Sequence, residues 1–414
     1  MSLYCGVDFG TSNSVITVVD DAGRTVFSRR EPTLLYFKDD PDTTADRACG
    51  QDALSRYLED GMSGRFFQSI KTILPDRAFT HTVINGKRFA AEDLVAVMLR
   101  FLRDTAAREL GVPLTAAIVG RPARFSPDES AEELAQERLE RATTQAGFTN
   151  VAFEFEPVAG ARSYLSRIRD DAVVFVADHG GGTSDFTVMS LSPSGRSEVL
   201  ATHGIRAGGD DFDAEIMWNR LVAAFGYGSS YESFGRYLPV PVHIFRIISR
   251  WDQIHFLKTT KYREELRYYL RSSDNPLAIR RLIKLVEENL GYFITRAVEK
   301  AKIELSSAVS ASVEYRKDKL RISEEVTRSE FNHYVAAWIS AIREAVDETL
   351  ALAGTPASGI DAVFMTGGSS SVPAVQEVLR ERFPKGSLVG DERQFESVAH
   401  GLALACRSRE LPIN

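Results

Sequence analysis

The 414-residue chain carries 50 Lys and Arg against 57 Asp and Glu, and a formal charge of −7 argues against a general nucleic-acid binder. Its 44% hydrophobic and 26% charged residues are ordinary for a soluble protein, and the length allows two domains with sub-lobes. Cys5, Cys49 and Cys406 lie far apart with no C-x-x-C, which fits a reducing compartment and no structural zinc site. No apolar run reaches the ~18–20 residues that span a bilayer, and Asp8 interrupts the first apolar run, so no signal peptide is read. A cytoplasmic protein that touches neither membrane nor nucleic acid is expected.

In chain order, residues 3–20 read as strand, glycine turn, strand, through Gly6-Val7-Asp8-Phe9-Gly10-Thr11-Ser12-Asn13-Ser14. Residues 25–38 alternate as a further strand and run into polar, turn-rich sequence. The stretch 39–112 reads as an inserted sub-lobe. Its clearest helix is Glu92 to Leu110, with Leu94, Val97, Met98, Phe101 and Leu102 on one face. Lys71 sits among apolar residues between Phe66 and Leu74; taken alone it is a snorkelling surface lysine. Ala116 to Pro122 reads as strand then turn. Ser126 as N-cap and Pro127 at N1 open a helix that Gly147 ends. Pro157 starts another helix, leaving Glu156 at its mouth, where a carboxylate favours the helix dipole.

The organising stretch is Val176 to Met189. The apolar run Val173 to Ala177 reads as a buried strand, Gly180-Gly181-Gly182 break it, and Thr183 to Met189 resume a strand. Glycines permit φ > 0 and let backbone N–H groups converge on phosphate oxygens. Asp178 stands where a carboxylate holds Mg²⁺ through water. One glycine triplet is equally a plain turn. The first hairpin repeats the grammar, however: Asp8 matches Asp178 and Gly10 matches Gly180, 170 residues apart. Two such hairpins imply a duplicated fold with phosphate held between the halves, and no P-loop motif occurs.

Gly208-Gly209-Asp210-Asp211 precedes a helix, Phe212 to Phe225, whose N–H groups add to a phosphate cradle. A second sub-lobe follows, 214–305. From 231 to 290 it holds 11 Lys and Arg, 7 Asp and Glu and nine aromatics, either helical packing with solvated arginines or a partner-docking face. Arg280 to Ala308 reads as one long helix that places Glu299, Lys302 and Ser306 on one face. Ala311 to Val326 reads as a hairpin, and a capping box from Thr327 to Glu330 opens a helix that Gly354 closes. Ala362 to Met365 is a buried strand feeding Gly367-Gly368-Ser369, and the last helix is Glu396 to Arg407.

In this order the motifs resemble the sugar-kinase, heat-shock protein and actin superfamily, and within it the ATPase domain of DnaK-type chaperones. The run Glu299 to Ala308 points to the bacterial branch. The resemblance implies an α/β fold of two actin-like (ribonuclease H-like) domains around a central nucleotide cleft. They would be 1–168 with 386–414, and 169–385, each with its inserted sub-lobe. It implies ATP or ADP with Mg²⁺, and K⁺ as a further candidate ion. Gly10, Thr11, Ser12, Asn13, Gly180, Gly181, Gly182, Thr183, Gly208, Gly209 and Asp210 would cradle phosphates. Glu299, Lys302 and Ser306 would touch ribose and adenine, and Gly367, Gly368 and Ser369 would admit the nucleoside. Asp8 and Asp178 would organise hydrated Mg²⁺. Lys71, Glu156, Asp178 and Thr183 form the implied catalytic set, orienting the γ-phosphate and the attacking water.

The chain also departs from the family pattern. Ser371 stands where the family usually stacks an arginine on adenine, an interaction of about 0.5–2 kcal/mol, so nucleotide affinity about three- to thirtyfold weaker is expected. Phe395 replaces a usual acid, and the interdomain relay pattern from Arg121 to Asp128 is largely lost. The second sub-lobe exceeds the family norm around 227–275, which marks the expected surface for a protein partner. The chain ends at Asn414 with no peptide-binding domain, so peptide clamping by that route is not expected. A slow, DnaK-like ATPase switch of the short type is the leading expectation. A sugar or polyol kinase of the same superfamily is the second, although no kinase-like acid follows the first hairpin. A nucleotide-dependent filament or scaffold is the third.

Overall fold

The computed structural model describes residues 2–39, 47–126, 128–165, 170–193, 196–317, 320–384, 386–390, 396–411 and 413. The chain is α/β and forms two compact units. One is Met1–Arg206, Glu344–Ser370 and Leu379–Asn414; the other is Ala207–Arg343 and Ser371–Val378.

The first unit contains two five-stranded sheets of one design. In the first, the order is Asn150–Phe155, Ala116–Arg121, Leu3–Phe9, Asn13–Asp20, Thr25–Pro32. In the second it is Ser387–Gly390, Ala362–Thr366, Ala172–His179, Ser184–Leu191, Ser197–Ile205. Each has an antiparallel hairpin at its centre, with the hairpin's first strand paired in parallel to the next strand in the sheet. Strands covered on both faces carry near-continuous apolar runs. Accordingly Val7, Phe9 and Ile16 in one sheet, and Val174, Phe175 and Val176 in the other, are almost fully buried. The duplication read from two short motifs therefore extends to whole sheets.

The helix Ala91–Leu110 buries Leu94, Met98 and Leu102, with Phe101 partly covered. The last helix, Ser397–Ser408, packs Val398, Leu402, Ala405 and Cys406 on Ile118 and Ala159. All three cysteines are buried free thiols. The helix expected at Ser126 begins later, as Glu129–Ala146: Asp128 caps it by accepting the Ala131 N–H at 2.9 Å. Ser126 Oγ instead accepts the Asp128 N–H. Pro127 and Phe395 lie outside the described residues.

In the second unit the helix expected from Phe212 starts earlier, at Gly209–Ile216. It continues as a π turn, Met217–Leu221, and a 3-10 turn, Val222–Phe225. The single helix expected from Arg280 is two, Pro276–Glu287 and Gly291–Leu305, broken where Asn289 takes a left-handed φ of 57°. The capping box holds as expected, with the Glu330 carboxylate accepting the Thr327 N–H at 2.9 Å. Its helix, Arg328–Tyr334, stops at Val335 before a second helix, Ala336–Leu352. Among the described residues no helix is long and apolar enough to cross a membrane.

Candidate functional site

In the first unit, the two hairpin turns bring five ionisable side chains together. Asp178 is the penultimate residue of the strand Ala172–His179 and faces Asp185 across the second hairpin; Asp8 holds the matching place in the first, opposite Val15. Glu156 is the first residue of the helix Glu156–Leu165. Lys71 lies in a 3-10 turn, Ile70–Ile73, and its Nζ donates to Glu156 Oε1 at 2.6 Å with both side chains only 12% exposed.

Two devices present Lys71. Ser69, just before its turn, adopts φ 54°, a left-handed conformation that costs a non-glycine residue about 1–2 kcal/mol. Buried Arg138 then holds the following backbone, donating to the carbonyls of Ile73, Leu74, Asp76 and Phe79 at 2.8–3.0 Å. Arg138 was not expected from sequence, because its contacts reach back some sixty residues to bare carbonyls.

The electrostatics bear one sign. Burial, then the charges of Glu156 and Asp178, push the Asp8 carboxyl up to about 8. Burial and Asp178 push Asp185 up to about 7. Asp178 is raised by burial and Glu156, although Thr366 hydrogen-bonds to it. Burial alone would lower Lys71, but Glu156 and Asp8 hold it above its ordinary value. Four carboxyl groups thus share one lysine. Asp185 was absent from the expected set. The hairpin register was the available signal, since residues pairing about the Gly181–Gly182 turn place 185 opposite 178.

The turns themselves differ from expectation in one respect. Gly10, Gly180 and Gly182 do not use φ > 0. Glycine is needed at 10 for space, since a Cβ there would lie 2.1 Å from the Asn13 carbonyl oxygen. A Cβ on Gly182 would meet no protein atom within 4 Å, so its outer side is open. Gly180 N–H donates to the Thr183 carbonyl at 2.9 Å, and Thr183 Oγ1 donates to Asp185 Oδ2 at 3.0 Å. Thr33 fixes the first turn, its Oγ1 donating to the Gly10 carbonyl and its N–H to that of Ser12, which orders Thr11 and Ser12 beside Asn13. Ser369 Oγ donates to the Gly180 carbonyl at 3.1 Å, so the Gly367-Gly368-Ser369 turn adjoins the second hairpin. Gly367 there has φ 78°, and a Cβ would clash with the His179 carbonyl at 2.3 Å.

On the other face of the second hairpin, His179 and Ser184 form the pair nearest the turn, with Nδ1 and Oγ 2.8 Å apart. Burial pushes the imidazole down to about 4, so it is neutral. Ser184→Ala leaves it without that bond in a buried site, and a loss of about 1–3 kcal/mol is expected in urea unfolding. Unchanged stability would remove the pair from the list of contacts that hold the turn.

The second unit holds a separate group of expected residues. Gly208 precedes the helix Gly209–Ile216, its N–H donating to Asp211 Oδ2 at 3.0 Å. Lys302 is buried, and its Nζ donates to the Gly209 carbonyl at 2.9 Å and to Asp213 Oδ2 at 2.8 Å. It therefore anchors the helix start that carries Gly209 and Asp210. Burial pushes Asp213 up to about 6 despite Lys302. Glu299, one turn before Lys302, pairs with Arg296 and is partly exposed, and Ser306 caps the helix end.

A family model described as Hsp70 protein matches residues 47–231 and 286–409. Chaperone protein DnaK of Thermus thermophilus is 27% identical, over 93% of this chain and 57% of its own length. DnaK proteins of Mycoplasmopsis agalactiae and Deinococcus proteolyticus are each 26% identical, over 90% and 98% of this chain. The chain spans 53–59% of the length of these three relatives.

Proposed function

The chain belongs to the Hsp70 family, and on that premise we propose that it is a chaperone-type molecular switch that binds ATP and hydrolyses it slowly. The observation that carries this reading is the cluster of Asp8, Glu156, Asp178 and Asp185 about Lys71, beside two glycine turns of one design. Phosphoryl transfer needs little beyond positioning and charge, and these residues supply both.

The donor chemistry fits a divalent cation. Three buried aspartates raised by burial and mutual repulsion, with one lysine among them, lack positive charge. Among the described residues no three such groups converge as direct ligands, and the reading is a hydrated Mg²⁺ held by Asp8, Asp178 and Asp185 through water. Bound Mg²⁺ would offset phosphate charge. Lys71, locked to Glu156, would meet the γ-phosphate; Thr183 and Asp185, already bonded to each other, would orient the attacking water with Glu156. The amides of Thr11, Ser12, Asn13 and Gly180 to Gly182 would take phosphate oxygens. Gly208, Gly209 and Asp210 would add to the phosphate cradle, Glu299, Lys302 and Ser306 would touch ribose and adenine, and Gly367, Gly368 and Ser369 would admit the nucleoside.

We further read two actin-like domains, 1–168 with 386–414 and 169–385, in a cytoplasmic protein that uses K⁺ beside Mg²⁺ and meets a protein partner on 227–275. The test is phosphate release from the purified chain with Mg²⁺, K⁺ and ATP. Slow turnover is expected. Transfer of phosphate to a sugar or polyol, with none to water, would replace this reading by a kinase.

A further inference from the structure

Residues 232–285 fall between the two stretches that the Hsp70 model matches, so the family pattern does not account for what they display. They lie in the second unit. A hairpin, Ser230–Ser233 with Arg236–Pro239, packs on the helix Thr260–Ser272. The Tyr231 ring packs tilted 4.6 Å from that of Tyr269 and edge-on 5.8 Å from that of Tyr268, and Tyr268 Oη donates to the Glu232 carbonyl at 2.9 Å. The Asp274 N–H closes the same edge by donating to the Ser230 carbonyl. Hairpin and helix therefore form one piece.

Two features of this piece cost it stability and bring nothing locally. The first is the hairpin tip. Phe234 and Gly235 form a two-residue turn with φ 51° and 73°, a conformation that suits Asn or Gly and strains a bulky residue. Phe234 is nevertheless fully exposed, at 103%, and Leu238 and Tyr268, on the helix side of the hairpin, are each 41% exposed. The second is the helix. Arg263, Arg267 and Arg271 recur at i, i+4 and i+8, all exposed. Like charges at that spacing destabilise a helix. Among the described residues none of the three makes an ion pair. Burial, and then Arg263, holds Lys258 below its ordinary value. Arg271 lies one turn from Tyr268, so the arginine row borders the exposed rings.

We propose that this face docks an acidic segment of a partner protein, with carboxylates on Arg263, Arg267 and Arg271 and apolar side chains on Phe234, Leu238 and Tyr268. Charge decides the occupant. The chain as a whole is −7, yet residues 231–290 carry 11 Lys and Arg against 7 Asp and Glu. Guanidinium forks match carboxylates bidentately, and arginine beside aromatics is the composition of interface hot spots. A net-negative protein with an apolar patch beside its arginines suits an acidic peptide better than a polynucleotide. The proposal deepens the partner contact read on 227–275 and is independent of the nucleotide reading.

The test is fluorescence anisotropy on the full chain without nucleotide. The probe is a labelled peptide of repeating Glu-Glu-Leu; its Gln-Gln-Leu counterpart, single-stranded DNA and phosphatidylserine vesicles serve as comparators. The Glu peptide is expected to bind, and the double variant Arg267→Gln/Arg271→Gln to weaken it about tenfold or more. Leu238→Ser should weaken it about fivefold or more. Relief of the helix repulsion should leave the thermal midpoint of the double variant equal or higher, which separates lost docking from lost fold. Unchanged affinity in the double variant overturns the proposal, as does no binding, or equal binding of the Gln peptide. DNA or vesicles binding as tightly with the same arginine dependence would make the face a general polyanion site instead.

Discussion

Lys71→Ala should lower phosphate release about a hundred- to a thousandfold, the usual cost of removing one preorganised charge from a transition state. Binding of Mg·ATP should change less than tenfold. Lys71 is the lysine shared by Asp8, Glu156, Asp178 and Asp185, and its ion pair with Glu156 fixes its position. Its removal also leaves Glu156 buried without that pair, a loss of about 3–5 kcal/mol for a broken buried pair when the remaining group stays charged. Lys71→Met keeps the apolar stem, and Glu156→Gln removes the partner charge, so these variants separate lost stability from lost chemistry. Asp178→Asn should match the Lys71 loss in turnover. Equal turnover in the wild type, Lys71→Ala and Asp178→Asn would sink the assigned roles.

The carboxylate cluster should make the free protein less stable as pH rises. Asp8 and Asp185 are raised from 3.8 to about 8 and about 7 in the folded chain. Between pH 4 and those values the unfolded chain has lost protons that the folded chain keeps, so folding takes up protons. Stability therefore falls with pH, by about 1.4 kcal/mol per pH unit for each such group. The advantage is complete below the unfolded value and gone above the folded one. A divalent cation reverses the effect where the carboxylates are ionised. The expected result in calorimetry is a thermal midpoint that drops from pH 5 to pH 8, with Mg²⁺ raising it at pH 8 and not at pH 5. Asp185→Asn should flatten the slope. A level midpoint, or the same Mg²⁺ effect at both values, would contradict a cation site built from these residues.

Local grammar made much of this legible. Asp8 and Gly10, repeated as Asp178 and Gly180, fix two hairpins because strand, turn and strand are written in consecutive residues. The capping box at Thr327 held for the same reason, since both partners lie within one turn. What was missed depends on distance or context. Arg138 acts on carbonyls that sequence does not mark as special. The break at Asn289 interrupts a pattern whose apolar period continues on both sides. Asp185 was recoverable from hairpin register but not from the glycine motif alone. Glycines were argued from positive φ, yet at Gly10 the reason is the neighbouring carbonyl oxygen, a contact visible only once the turn is built.

The most direct test is a calorimetric titration of the purified chain with ATP in the presence and absence of Mg²⁺. The account predicts one site, Mg²⁺-dependent, with affinity weaker than sub-micromolar because Ser371 offers no guanidinium to stack on adenine. A folded protein that takes up no ATP with Mg²⁺ present would contradict it.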